Sequence, residues 1–175
     1  MGLNKYLCSK RKSSGSVSQS HTRKHWIVDT NLPDSTTAGG HFWRGSVTLN
    51  LGVGTRSLRV GRTVELTVQV RASGTPIEGA EVHLAFDPAL LRVESVAPGT
   101  RLDQVIVSTW DNAAGTIDYA AGRFSDFPSG TFTLARVRLT ALAAGTSAVV
   151  VIGADVGSGG ASAFGGATGV TLTAR

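Results

Sequence analysis

Glu81 and His83 are two ionisable side chains whose spacing places them on one surface. They lie in the alternating segment 80–86, in which the even-numbered residues are all apolar. Because successive side chains of a strand point to opposite sides, Glu81 and His83 project away from the apolar face, beside the small residues Gly79 and Ala85. A flat polar surface of this kind either receives a partner or is an ordinary solvated sheet face.

Catalytic motifs are not recognisable in the chain. Ser125 lies in Phe124-Ser125-Asp126 without the strained turn that exposes a nucleophilic serine, and His83 is the one histidine after residue 45. A phosphate-binding Gly-x-x-x-x-Gly-Lys motif is also missing from the sequence. The glutamates of the region after residue 45 all fit exposed strand or turn positions. The sequence therefore predicts that the protein is not an enzyme.

Metal binding is weakly indicated. Asp87, Asp111 and Asn112 carry oxygen atoms that calcium prefers, but each is explained by a turn or hairpin tip, and no cluster of acids stands beside them. Three histidines precede residue 45 without an accompanying cysteine pair to form a zinc site: His21, His25 and His41. We expect no cofactor and no metal, with calcium the ion that isolated carboxylates could still attract.

The net charge of +5 is concentrated at the N-terminal end of the chain. Residues 1–45 hold seven basic and two acidic residues, whereas residues 46–175 hold ten arginines and ten acids. The first region is rich in Ser, Thr, Lys and Arg and lacks apolar periodicity, so it is expected to be a disordered tail or linker. Its short basic stretch Lys10–Lys12 is more often solvated than bound to nucleic acid, and no nucleic-acid partner is expected.

Targeting signals are not visible in residues 1–45. No apolar run of seven or more residues follows the positive charges, so neither a signal peptide nor a membrane span is predicted. A start codon assigned too far upstream, a fragment of a longer protein and a genuine linker each explain such a tail. The single cysteine, Cys8, excludes an intramolecular disulfide and leaves the redox compartment open.

From Ser46 onward, alternating segments separated by glycine-rich turns indicate an all-β domain over residues 46–175. Asn112–Gly115 is expected to form a hairpin connection, and Gly153–Gly169 a mobile loop before the last strand. Many short strands with such turns are typical of a two-sheet antiparallel β-sandwich. Nine strands are predicted, at residues 46–53, 63–72, 80–86, 91–96, 105–110, 116–121, 132–142, 148–152 and 170–174.

The segment Phe86-Asp87-Pro88-Ala89-Leu90-Leu91 is expected to cross from one sheet to the other. Pro88 cannot donate a ladder hydrogen bond and Asp87 favours a turn, so strand pairing should end there. The two leucines are then placed to plug the end of the core. The residues predicted to be buried in and around this segment are Val82, Leu84, Phe86, Leu90 and Leu91.

These segments together resemble a cohesin domain over residues 46 to 174. The resemblance is carried by the Asp-Pro segment with its two leucines and by a recurring order of patterns: Gly61–Leu66, Ile77–Ala80, Phe86–Leu91, Gly115–Ala120, Leu134–Leu139 and Gly169–Leu172. It implies a jelly-roll sandwich of about nine strands that docks the dockerin modules of secreted polysaccharide-degrading enzymes. It also implies a bacterial protein with an extracellular or cell-surface location.

The resemblance further implies which residues bind the partner. The outward residues of the strand before Asp-Pro form a polar plateau in cohesins, which corresponds here to Gly79, Glu81, His83 and Ala85. Gly79 stands where many cohesins place an amide or another polar side chain. This difference bears on which type of dockerin could be recognised.

Two other functions remain open from the sequence. A carbohydrate-binding module would stack sugar rings on exposed aromatic side chains, for which Trp110 and Tyr119 are the candidates, with Trp43 as a third. The alternation leaves the face of Trp110 undecided. The other alternative is a purely structural domain of a longer extracellular protein.

Overall fold

The computed structural model describes residues 46–175, so the tail predicted for residues 1–45 lies outside the described part of the chain. The described residues form β-strands and connecting turns, and none of them belongs to a helix long and apolar enough to cross a membrane. The strands are β1 (Val47–Val53), β2 (Ser57–Leu58), β3 (Thr63–Arg71), β4 (Gly79–Ala85), β5 (Leu91–Pro98), β6 (Gln104–Asp111), β7 (Thr116–Gly122), β8 (Thr131–Ala141), β9 (Gly145–Ser158), β10 (Ala161–Ser162), β11 (Phe164–Thr168) and β12 (Val170–Ala174).

Two sheets pack face to face around a single core. One is five-stranded, in the order β11-β1-β3-β8-β5; the other is seven-stranded, in the order β2-β12-β9-β4-β7-β6, with β10 paired to β9. The predicted all-β two-sheet sandwich is thereby confirmed. Its strands are not all antiparallel, because β11 runs parallel to β1 and β2 runs parallel to β12.

Alternation of apolar and polar residues decides which side chains enter the core. In β3 every second residue from Val64 to Val70 is buried, while the residues between them are exposed or half-buried. In β4 the same pattern buries Val82 and Leu84, as predicted. Phe86 and Leu91 are buried too, but the prediction for Leu90 is wrong, because this side chain is only partly buried and packs against the rim of the core.

The Asp-Pro segment forms the predicted turn. Asp87 Oδ1 accepts a hydrogen bond from the Ala89 amide at 2.9 Å, and the Asp87 carbonyl accepts one from the Leu91 amide at 2.9 Å. The amide of Phe86 donates to the carbonyl of Gly115 at 2.8 Å, which joins this turn to the β6–β7 hairpin. Gly115 has a φ of 70°, and a Cβ there would lie 2.3 Å from the Phe86 carbonyl oxygen. Only glycine fits this junction.

The glycine-rich segment is ordered into strands, and its prediction as a mobile loop is wrong. β9 continues to Ser158, turns at Gly159 and Gly160 with φ angles of 59° and 74°, and pairs with β10. The Glu78 carboxylate accepts hydrogen bonds from the amides of both turn glycines, at 2.9 and 3.2 Å. Consecutive glycines with positive φ are typical of tight hairpin turns. The following strand, β11, then forms an edge of the five-stranded sheet.

Candidate functional site

The outward side chains of four neighbouring strands, β6, β7, β4 and β9, form one continuous surface, here called the outer face. Residues directly opposite each other on paired strands share a side of the sheet. In β4, His83 is opposite Asp118 of β7 and Gly153 of β9, and Glu81 is opposite Ala120 and Asp155. The strand pairing therefore brings three acids and one histidine together from positions far apart in the chain.

His83 is held between two carboxylates. Its Nδ1 atom lies 2.6 Å from Asp118 Oδ1, which is a hydrogen bond, and its Nε2 atom lies 4.0 Å from Glu81 Oε1. The ring also lies against the backbone of Gly153, where a Cβ atom would come within 3.1 Å of His83 Cδ2. These contacts fix the orientation of a side chain that is 43% exposed.

Glu81 and Asp155 are like charges placed directly opposite each other on paired strands. Such a pair destabilises a sheet when no cation lies between its members. Asp155 accepts a hydrogen bond from the Ser162 hydroxyl at 2.5 Å. Among residues 46–175, no lysine or arginine lies within salt-bridge distance of either carboxylate.

Small residues make the outer face flat at the end where β4 begins. Gly79, Gly122 and Gly157 stand side by side across β4, β7 and β9, next to Ala120. Gly79, Gly157 and Ala120, together with Glu81, Asp155 and Ile106, line a shallow, open depression. Exposed apolar side chains border the outer face, with exposures between 39% and 72%: Ile106 and Val107 on β6, beside the glycines, and Val150 and Ile152 on β9, towards Ala85.

Charge is divided unevenly between the two sheets. The strands of the seven-stranded sheet contain no lysine or arginine and four acids: Glu81, Asp111, Asp118 and Asp155. The strands of the five-stranded sheet contain four arginines and two glutamates: Arg71, Arg92, Arg136, Arg138, Glu65 and Glu94. Residues 46–175 are neutral in sum, but the outer face belongs to an acidic sheet.

The four residues predicted for partner binding, Gly79, Glu81, His83 and Ala85, lie together on the outer face. The sequence reasoning missed Asp118, Asp155 and Ile106. Alternation within 116–121 could have assigned Asp118 to an outward position, but only the pairing of β4 with β7 places it beside His83.

Tyr119 is not available to bind a sugar. The side chain is 2% exposed and belongs to the core, so its prediction as a stacking platform is wrong. Its strand position is opposite Val82, on the inward side of β7. Trp110 is 40% exposed and is opposite the buried Ile117, so it lies on the core side of β6 at the edge of the sheet.

The candidate calcium ligands are engaged in structural hydrogen bonds. Asp111 Oδ1 accepts from the amides of Ala113 and Ala114 at 2.7 and 3.1 Å. Asn112 donates to the carbonyl of Val93 and accepts from its amide, at 3.0 and 2.7 Å, which links the hairpin to β5 of the opposite sheet. Within residues 46–175, no three metal-binding side chains are grouped to hold an ion, and the histidines considered for zinc, His21, His25 and His41, lie outside this range.

Comparison with known protein families gives a match to the cohesin domain over residues 49–165. This range includes every strand of the outer face. Among curated protein sequences, none matches the chain.

Solved structures with the same fold are numerous. The complex of CaDoc0917 with CaCohA2 superposes with a TM-score of 0.64 and 24% identity, covering 74% of this chain and all of that one. The third cohesin of ScaC in complex with the ScaB dockerin, from Acetivibrio cellulolyticus, has a TM-score of 0.64 and 12% identity over 73% of this chain and 98% of that one. A non-cellulosomal cohesin from the archaeon Archaeoglobus fulgidus has a TM-score of 0.61 and 16% identity, covering 74% and 91%.

Proposed function

Because this chain belongs to the cohesin family, we propose that it is a non-catalytic docking module whose outer face binds a dockerin-type partner. The assembly so formed would be extracellular or on the cell surface and would degrade polysaccharides. Gly79, Glu81, His83 and Ala85 lie at the centre of the proposed contact, and Asp118 orients His83 within it.

One observation supports this function above the others: the outer face is flat, apolar at its margins and polar in its middle. Four exposed aliphatic side chains border it, Glu81 and His83 lie along its middle, and glycine and alanine form the floor of its depression. Several exposed apolar side chains grouped on one face, rather than scattered singly, mark an interaction site. A helix can lie on such a floor, and the related cohesin of Acetivibrio cellulolyticus was solved in complex with a dockerin.

The test is a titration of the full chain against a panel of dockerin modules. Changing both Glu81→Ala and His83→Ala should weaken binding by about 2 kcal/mol or more, because both side chains lie at the centre of the proposed interface. The thermal stability should change little, since both side chains are substantially exposed. Glu65→Ala, on the opposite sheet, is the matched control and should bind like the parent.

A carbohydrate-binding function is the second candidate, favoured only by the 40% exposure of Trp110. It predicts the reverse pattern. Trp110→Ala would abolish retention on an insoluble polysaccharide, and the Glu81/His83 double variant would be retained like the parent. If the parent binds neither dockerins nor polysaccharides, the domain has a structural role and both binding functions are wrong.

A further inference from the structure

The distribution of charge identifies the chemistry of the partner. The strands of the seven-stranded sheet contain four acids and no lysine or arginine, and all four acids occupy outward positions, with Asp111 at the end of the β6–β7 hairpin. The arginines of the domain's strands all belong to the other sheet. A neutral domain with one acidic face attracts positively charged surfaces and orients them toward that face.

The depression on the outer face adds a shape to this charge. Gly79 and Gly157 form its floor, the 72% exposed side chain of Ile106 forms one wall, and Glu81 and Asp155 form the acidic end. A lysine or arginine side chain matches this lining, because it has an apolar stem and a charged head. Its methylene stem packs on apolar surface while its charged head stays at the polar end. Bound in this way, a cation would relieve the repulsion between the two opposed carboxylates.

We propose that the partner's contact helix is basic and that it places a lysine or arginine side chain in this depression, with its head between Glu81 and Asp155. The inference rests on the proposed docking function and names the partner that the outer face selects. Apolar residues of the same helix would then contact Ile106 and Val107 on one side and Ile152 on the other. An acidic helix would be excluded by repulsion.

The experiment measures association rates of the full chain with dockerin modules whose contact helices range from acidic to basic. Binding should follow the positive charge of the helix. For the basic dockerins, the association rate should fall on the order of tenfold or more as salt is raised from low to physiological concentration. Glu81→Gln and Asp155→Asn should each slow association at low salt and reduce its salt dependence.

Control variants distinguish an effect of charge on association from an effect on the fold. Asp155 also accepts the Ser162 hydroxyl, so Glu81→Gln is the variant less involved in the fold. Glu94→Gln, on the opposite sheet, should leave association unchanged. If dockerins bind but their affinity is independent of salt, or acidic helices bind best, the inference is overturned and the docking function stands. If no dockerin binds the parent, the docking function itself is overturned and the inference fails with it.

Discussion

The imidazole ring of His83 packs against the backbone of Gly153 on the neighbouring strand. The Cβ atom of any other residue at position 153 would crowd this ring. A Cβ atom at Gly153 would lie 3.1 Å from His83 Cδ2, closer than nearly all real contacts of this kind. On the other side of β4, Asp118 holds His83 Nδ1 at 2.6 Å. Two neighbouring strands therefore set the orientation of the histidine, and a glycine is part of the polar arrangement on the outer face.

Gly153→Ala should weaken dockerin binding through His83 rather than through the fold. The added methyl group displaces the imidazole, while the loss of a flexible glycine from a strand favours folding by about 0.5–1 kcal/mol. A double-mutant cycle measures this coupling. In the His83→Ala background, Gly153→Ala should have no further effect on the dissociation constant. Equal effects in both backgrounds would mean that Gly153 acts independently of the histidine.

Tyr119→Phe should stabilise the domain. The Tyr119 hydroxyl is buried in the core and has no hydrogen-bond partner among residues 46–175. A buried polar group without a partner costs roughly 1–3 kcal/mol, so its removal should raise the free energy of unfolding by about 1 kcal/mol. Urea denaturation measures the change, and Tyr119→Leu serves as a control because it removes the ring as well.

The contribution of the same hydroxyl to the stability of the domain depends on pH. Burial raises the pKa of Tyr119 above 10.0, so above about pH 10 the unfolded chain loses its proton before the folded protein does. Stability associated with this group is therefore complete below the unfolded pKa and falls as the pH rises beyond it. The loss at alkaline pH should be smaller in Tyr119→Phe. An identical alkaline loss in both proteins would contradict the assignment.

The strands of the sandwich were predictable because alternation reports burial directly. Val64 to Val70 and Ala80 to Leu84 each have one apolar side, and both segments lie in strands with that side in the core. β2, with two residues, has no pattern to detect. The glycine-rich composition of residues 153–169 predicts a mobile loop, although Gly159-Gly160 between two short runs is itself a hairpin signal.

Only some residues of the outer face could be predicted from the sequence. Alternation alone assigns Glu81 and His83 to one side of β4, but Asp118 and Asp155 enter the same cluster through pairings across 35 and 74 positions of the chain. Strand register depends on the whole fold and on bulges such as the one between His83 and Leu84. The orientation of Trp110 was unpredictable for the same reason. Its pairing with Ile117, and not its neighbours in sequence, decides on which side of the sheet the residue lies.

Leu84→Ala should destabilise the domain strongly. The side chain is 1% exposed and lies between the two sheets, so truncation removes buried apolar surface and leaves a cavity. The expected loss is about 2–5 kcal/mol in the free energy of unfolding. Glu81→Ala is the control, because it lies on the same strand with its side chain in solvent, and it should change stability far less. Equal thermal unfolding of Leu84→Ala and the parent would contradict the assignment of the inward face.

Asp111 should make the β6–β7 hairpin sensitive to acid. Hydrogen bonds from the amides of Ala114 and Ala113 hold the pKa of its carboxyl group below the usual 3.8. The unfolded chain therefore binds this proton at a higher pH than the folded protein, and stability falls as the pH drops below the unfolded value. Asp111→Asn keeps an oxygen acceptor for the two amides but has no proton to bind in this range.

The measurement compares urea midpoints of the parent and Asp111→Asn between about pH 7 and about pH 2. Other carboxylates with a lowered pKa, such as Glu94 with its hydrogen bonds from Thr140 and Arg92, titrate in both proteins and cancel in the difference. The parent should be the more stable protein near neutral pH, because an ionised acceptor forms the stronger hydrogen bonds. Its advantage should shrink below about pH 4. A difference that stays constant over the whole range would show that the two amides do not depend on the charge of Asp111.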